Sequence, residues 1–211
     1  MPVTNLAAAV PRHRLTTDQR QREIVATVLA LARERGPDAI TTQAIADRMG
    51  VTQGAVFRHF PDKQAIWLAV FAWVRESLGA VLATAINEAD SPLARIERAF
   101  LAHVAFIAAN PGVPRVMFHE MQYPGDSPVR AEVRSMFTSH RQRLTLLFRQ
   151  AKTAGELPRD LDATLAPVSF IGAVQGLVIE ASLAGDETGM VKRARKLLPL
   201  LLDGYRGRRK W

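Results

Sequence analysis

A chain of 211 residues, 48 % of them hydrophobic and with a mean hydropathy near zero, has the length for one or two domains and enough apolar content for a sizeable core. The absence of cysteine excludes disulfides, thiol nucleophiles and thiolate metal sites. No uninterrupted apolar run approaches the ~20 residues that span a bilayer, so a cytoplasmic protein with no membrane partner is expected. The net charge of +8 points to an anionic partner, but its distribution is uneven. Residues 1–65 hold nine Lys/Arg and six Asp/Glu, residues 66–189 eleven and thirteen, and residues 190–211 eight and one. Charge alone is thus a weak argument for nucleic acid in the first third of the chain, and a local pattern must carry it.

Residues 1–15 read as a flexible basic arm, in which Arg12, His13 and Arg14 suit phosphates or a minor groove; a solvated tail fits equally well. The N-terminal LAAAV is too short for a signal peptide. Thr16 and Gln19 have capping-box spacing, so a helix is expected from there, buried through Ile24, Val28 and Leu31 and ended at Gly36-Pro37. The stretch TTQAIADRMGVTQGAVFRHFPDK, Thr41 to Lys63, then reads as two short helices joined by a tight turn. Ala44, Ile45 and Met49 form one inward stripe, and Gly50 permits the positive φ of a sharp stop. Thr52 is placed to cap a second helix from Gln53 to about His59, buried through Val56. Its tip carries an amide (Gln53) and two small residues (Gly54, Ala55), then Phe57, Arg58 and His59. Such a tip suits a DNA major groove: an amide pairs with both edges of adenine, Ala55 suits a thymine methyl, and Gly54 allows close approach. The bland readings are that Thr42 and Thr52 are only caps, Phe57 only core and Gln53 a solvated amide.

These residues resemble the DNA-binding domain of the TetR family of transcriptional regulators, over about Thr17 to Phe71, through the long first helix, the TTQAIADRMGVTQGAVFRHF segment and the PDKQAIWLAV entry into a fourth helix. The resemblance implies contacts to double-stranded DNA at a palindromic operator from Thr42, Thr52, Gln53, Gly54, Ala55, Phe57, Arg58, His59 and Lys63. It also implies a core anchored by Ile66, Trp67 and Phe71. One position departs from the family: a Tyr whose hydroxyl binds phosphate is usual where Phe57 stands.

Asp62 is expected to cap the fourth helix, which runs to about Ile86, is apolar on several faces, and reads as the mechanical link between the DNA-binding domain and the remainder of the chain. Ser91-Pro92 and Ser127-Pro128 each pair an N-cap with a Pro at the first helical position, opening helices to about Ala109 and Lys152. Residues 113–126, with Pro114, Pro124 and Gly125, read as irregular. Helices are then expected at about Ala163–Ala184 and Thr188–Tyr205, the last with Pro199 inside it as an expected kink. With no strand pattern, the expected fold is all-α with about nine helices. Its domains are a helix-turn-helix domain over 16–62 and a larger helical effector-binding and dimerisation bundle over 63–211.

The resemblance to the TetR family implies two further functions for that bundle, a small-molecule pocket and a subunit interface. Phe100, Val104, Ile107, Met117, Met121, Tyr123, Phe137, Phe148, Phe170 and Val174 suit an adaptable apolar pocket, with His103, His119, Gln122, Tyr123 and Gln175 as polar groups to orient a small-molecule effector. Plain core explains each singly. Gly172 and Gly176, four apart, with Leu197, Leu198, Leu200, Leu201 and Leu202, suit a helical homodimer interface, Gly172, Gly176, Leu197 and Leu201 chief among them; packing within one chain is the alternative. His119-Glu120 is adjacent rather than on one helical face, and no HExxH, P-loop, GxSxG or dinucleotide fingerprint occurs. No enzyme, cofactor or metal is expected. The whole reads as a repressor released by a small apolar or amphipathic effector, or else as an effector-independent DNA-binding protein with a solid core.

Overall fold

The structure, a computed structural model, describes residues 16–122 and 125–207. The basic arm over 1–15, Tyr123 and the last four residues lie outside them. Nine α-helices and no strand occur among the described residues. They are α1 (Thr17–Glu34), α2 (Thr42–Met49), α3 (Gln53–Phe57), α4 (Lys63–Asn87), α5 (Pro92–Ala109), α6 (Gly112–Gln122), α7 (Pro128–Thr153), α8 (Ala166–Ala184) and α9 (Met190–Tyr205).

Local chemistry sets most starts. Thr16 and Gln19 form a reciprocal capping box on α1, Asp62 accepts from the Ala65 N–H at the head of α4, and Ser91 and Ser127 cap α5 and α7, each followed by proline. Thr41, not Thr42, caps α2: it is extended and accepts from the Ala44 N–H, whereas Thr42 is already helical. Gly50 ends α2 in the left-handed region at φ 64°, closing the turn into α3.

The segment over 113–126 departs from its sequence reading, because α6 occupies Gly112–Gln122. Pro114 lies in its first turn, where a missing N–H removes no intrahelical bond, so it permits the helix it seemed to forbid. Gly112 has a tertiary reason. A Cβ there would run into the carbonyl oxygen of Leu29, so only glycine lets α6 lie against α1. α9 runs from Met190 to Tyr205 with Pro199 inside it, as its sequence reading expects.

Two cores are joined by a smaller one. The first gathers α1–α3 and the head of α4 around Ile24, Leu31, Ile45, Val56, Ile66 and Phe71, and also takes in Val116, Val129 and Val133 from α6 and α7. The second packs α5, α7, α8 and α9 around Phe100, Phe148 and Phe170. Between them Val74, Phe106 and Val113 meet in a third cluster. By length and hydropathy α4 and α8 would each reach across a membrane. In this fold α4 is packed against α1, α5 and α7, and α8 against α5, α7 and α9.

Candidate nucleic-acid interface and inner cavity

The tip of α3 is held rigidly from three sides. Thr52 caps it by accepting from the Ala55 N–H at 3.3 Å. Val56 and Phe60 anchor it in the first core at 1 % and 6 % exposure. Gln21 of α1 donates from Nε2 to the His59 carbonyl at 3.0 Å, tying the end of this segment back to the first helix.

What remains outward is the set read from the sequence. Gly54, Phe57, Arg58 and Lys63 are exposed, Ala55 and His59 half-buried. Gln53 is half-buried and donates from Nε2 to Thr42 Oγ1 at 2.7 Å, which fixes the amide's direction and gives Thr42 a role other than capping. Phe57 is 40 % exposed, so it is not core. His59 Nδ1 is buried with no hydrogen-bond partner. α3 ends at Phe57, so Arg58 and His59 lie in the turn beyond it. On the far flank Arg48 makes a paired contact with Glu34, at 2.8 and 2.5 Å, that holds α2 on α1. The guanidinium keeps the Glu34 carboxyl below its usual pKa.

A cavity of about 100 Å³ lies where the two large cores meet. Five helices wall it: α4 through Val74 and Leu78, α5 through His103, Phe106 and Ile107, α6 through Val113, Pro114, Met117 and Phe118, α7 through Met136, Phe137 and His140, and α8 through Ile171, Val174, Gln175 and Val178. Of the expected pocket residues, it brings together His103, Ile107, Met117, Phe137, Val174 and Gln175. Phe100, Val104, Phe148 and Phe170 are fully buried in the second core and do not line the cavity. Met121 and Gln122 are exposed at the end of α6, and Tyr123 lies outside the described residues. His119 instead pairs with Asp38 at 2.7 Å, linking α6 to the turn before α2.

The polar lining residue that sequence reasoning missed is His140. Its ring stands edge-on to His103 with centroids 5.0 Å apart. Burial drives both rings toward the neutral form, His103 to a pKa of about 3 and His140 to about 4, with the neighbouring His140 and Arg143 adding to the respective shifts. Nothing in the local sequence marks His140, because its partner is on another helix.

On the opposite side, Leu165, Val168, Ile179 and Leu183 of α8 and its approach are exposed, at 63, 49, 52 and 86 %. With Gly172 and Gly176 they recur at three- and four-residue steps, one face of a helix. A Cβ at either glycine would meet nothing within 4 Å, so packing within one chain does not account for them. Leu197 and Leu201 of α9 are half-buried against the second core, and Leu200 projects outward at 57 % exposure. Among the described residues, no three His, Asp or Glu side chains are grouped to hold a metal ion.

Two family models match this chain. One, described as bacterial regulatory proteins of the tetR family, matches residues 24–70, which span α1 to the head of α4; the other, a tetracyclin repressor-like C-terminal domain, matches residues 124–198. The chain belongs to the TetR family. It is a DNA-binding transcriptional regulator of that family. Among curated relatives, the nucleoid occlusion factor SlmA of Aliivibrio fischeri (strain MJ11) is 24 % identical over 160 residues, covering 75 % of this chain and 81 % of SlmA. Among solved structures, the ketosteroid transcriptional regulator KstR2 of Mycobacterium tuberculosis superposes with a TM-score of 0.74 at 21 % identity, covering 88 % of this chain and 94 % of KstR2. The regulator FadR from Bacillus subtilis, in complex with stearoyl-CoA, gives 0.74 at 19 % identity, covering 87 % of this chain and 98 % of FadR. At these identities the structural likeness concerns the fold.

Proposed function

We propose that this TetR-family protein is a homodimeric repressor that reads a palindromic operator through Gln53–His59 of each subunit and releases it when a small apolar or amphipathic effector enters the inner cavity. Residues 16–62 act as the reading domain and residues 63–211 as the sensing and dimerising one. One observation carries this reading. α6 forms a wall of the cavity and is also seated on the reading domain: Gly112 abuts the Leu29 carbonyl, and Arg115 donates to the Arg33 carbonyl at 2.5 Å. A change in cavity contents therefore reaches the end of α1 through one rigid helix, alongside α4, which contributes Val74 and Leu78 to the same wall.

Dimerisation is supported by the apolar stripe and exposed glycines of α8, and by what one short helix can read. Two copies on a two-fold axis present two tips to successive major grooves, doubling the base pairs sampled. Effector control requires a ligand that favours one arrangement of the two tips, with reciprocal weakening of DNA affinity. FadR, with its stearoyl-CoA, is one relative of this fold that holds a ligand.

The test is a gel shift with bound operator, titrated with lipophilic compounds that raise the protein's melting temperature. Expected is loss of the shifted band at the concentrations that stabilise the protein, and weaker coupling in Arg115→Ala. Compounds that stabilise without releasing DNA would sink the release mechanism and leave DNA reading intact. The effector-independent reading is favoured by the small size of the cavity and by the relative named for nucleoid occlusion. It requires that no compound alters DNA affinity.

A further inference from the structure

The inner cavity is nearly uniform in chemistry. None of the described residues lining it is charged, and its polar groups are two imidazoles and one amide, His103, His140 and Gln175. Both imidazoles leave a ring nitrogen buried without a hydrogen-bond partner, Nδ1 of His103 and Nε2 of His140. Buried polar atoms are almost always satisfied, and the two rings that carry these orphans line the cavity from α5 and α7.

Size and charge then restrict that occupant. The cavity holds about 100 Å³, somewhat below the ~150 Å³ apolar cavity known to take benzene. Met117 and Met136 on its wall are unbranched and adjust to such a difference. A volume of this size favours a single ring over a long acyl chain. An ionised carboxylate would enter a site with no lining cation, and burying an unpaired charge is costly. A neutral imidazole carries one donor and one acceptor, and a hydroxyl both donates and accepts. A single hydroxyl therefore satisfies either tautomer of either ring, which a ketone or a carboxylate does not.

We propose that the effector is an uncharged, single-ring lipophile carrying one hydroxyl group, of the phenol or cyclohexanol class, whose hydroxyl is held by His103 and His140 while Met117, Met136 and Phe137 surround its ring. This rests on the cavity being the effector site. The hydroxyl gives the paired rings, whose centroids are 5.0 Å apart, a shared polar partner inside the cavity. It also explains why the two histidines lie on different helices, α5 and α7, which the ligand then bridges.

The test is calorimetric titration of the full-length protein at pH 7.5 with p-cresol, toluene and benzoate, which share a ring and differ in the head group, together with a long-chain fatty acid. Expected is binding of p-cresol about five- to tenfold tighter than toluene, the worth of roughly one hydrogen bond, and no binding of benzoate. His140→Leu should lower the p-cresol to toluene ratio toward one, with His103 left as the hydroxyl's remaining partner, while toluene still binds. His140→Gln, which keeps a hydrogen-bonding group and guards against a folding defect, should retain part of the preference. Equal affinity for toluene and p-cresol, tighter binding of benzoate, or binding of the fatty acid alone would each overturn the assignment and leave the cavity as an effector site. If none of the four binds, the assignment falls, and the effector reading is decided separately by the operator-release titration.

Discussion

Gln53 donates from Nε2 to Thr42 Oγ1 at 2.7 Å, so the side chain proposed to read a base is aimed by a residue on the neighbouring helix. One amide proton is committed to Thr42. The second proton and Oε1 remain for the adenine edge, which needs one donor and one acceptor. Gln53→Ala should abolish discrimination at one base pair, worth about 1–3 kcal/mol. Thr42→Val keeps the shape, frees the amide to rotate, and should blur the same base pair by a smaller factor. Gel shifts with operator variants at fixed salt decide this; uniform weakening across all variants would remove Gln53 as a reader.

Phe57 is exposed beside the reading tip and lacks the hydroxyl that the family commonly presents there. Phe57→Tyr adds a donor without disturbing the core. Affinity should rise for every duplex alike, by about fivefold for one net hydrogen bond of roughly 1 kcal/mol. Fluorescence anisotropy with operator and unrelated duplexes measures it. A gain confined to one sequence, or none, would place Phe57 away from phosphate.

The seating of α6 on α1 depends on Gly112. Gly112→Ala forces a methyl group into the Leu29 carbonyl, and the helices must separate. Overpacking of this kind costs about 1–3 kcal/mol, readable by urea denaturation. Because α6 also walls the cavity, the variant should lose coupling between effector and DNA as well. Unchanged stability would mean that α6 does not rest on α1 in solution.

His103 and His140 should make the protein acid-sensitive. Their folded pKa values, about 3 and about 4, lie below the ~6.5 of an unfolded histidine. The unfolded chain takes up two protons as pH falls below 6.5, and the folded chain does so only at much lower pH. Stability is therefore full above 6.5 and is lost as pH falls toward the folded values, by about 2 kcal/mol per ring at pH 5. Comparing wild type with His140→Leu by urea denaturation at pH 7.5 and pH 5 isolates the share of one ring. An equal loss in both proteins would contradict the burial of His140 as a neutral group.

The exposed stripe on α8 makes the oligomer testable without disturbing the subunit. A side chain at Gly176 points into open space within one chain, so Gly176→Leu should fold normally. At a close helix–helix interface the same side chain collides with its two-fold mate. Light scattering after size exclusion should shift from dimer toward monomer, with operator affinity falling in parallel. A dimer of unchanged affinity would move the interface elsewhere.

Local chemistry was legible and tertiary chemistry was not. The Thr16–Gln19 box, Asp62, Ser91-Pro92 and Ser127-Pro128 announce their helices because a cap needs only residues a turn away. The turn into α3 and its cap were legible for the same reason: Gly50, Thr52 and Gln53 lie within four residues. The role of Thr42, offered by sequence as a cap, needed a contact from Gln53, eleven residues on, to show itself. α6 was hidden because Gly112 and Pro114 look like breakers until a neighbouring helix supplies the reason for one and the first turn excuses the other. Large apolar residues carry no mark of which void they border, so Phe100 and Phe170 group with the pocket in sequence although they fill the core beside it. His140 needed His103, thirty-seven positions away, to become visible.

The most direct measurement is selection of bound duplexes from a random pool by the purified protein, with Gln53→Ala run in parallel. The expected result is a palindromic consensus recovered by the wild-type dimer, its half-sites about one helical turn apart, with one position per half-site relaxed in the variant. Recovery of the unselected pool by a monomeric protein, with every duplex bound equally, would contradict the proposal that two copies of the Gln53–His59 tip read DNA.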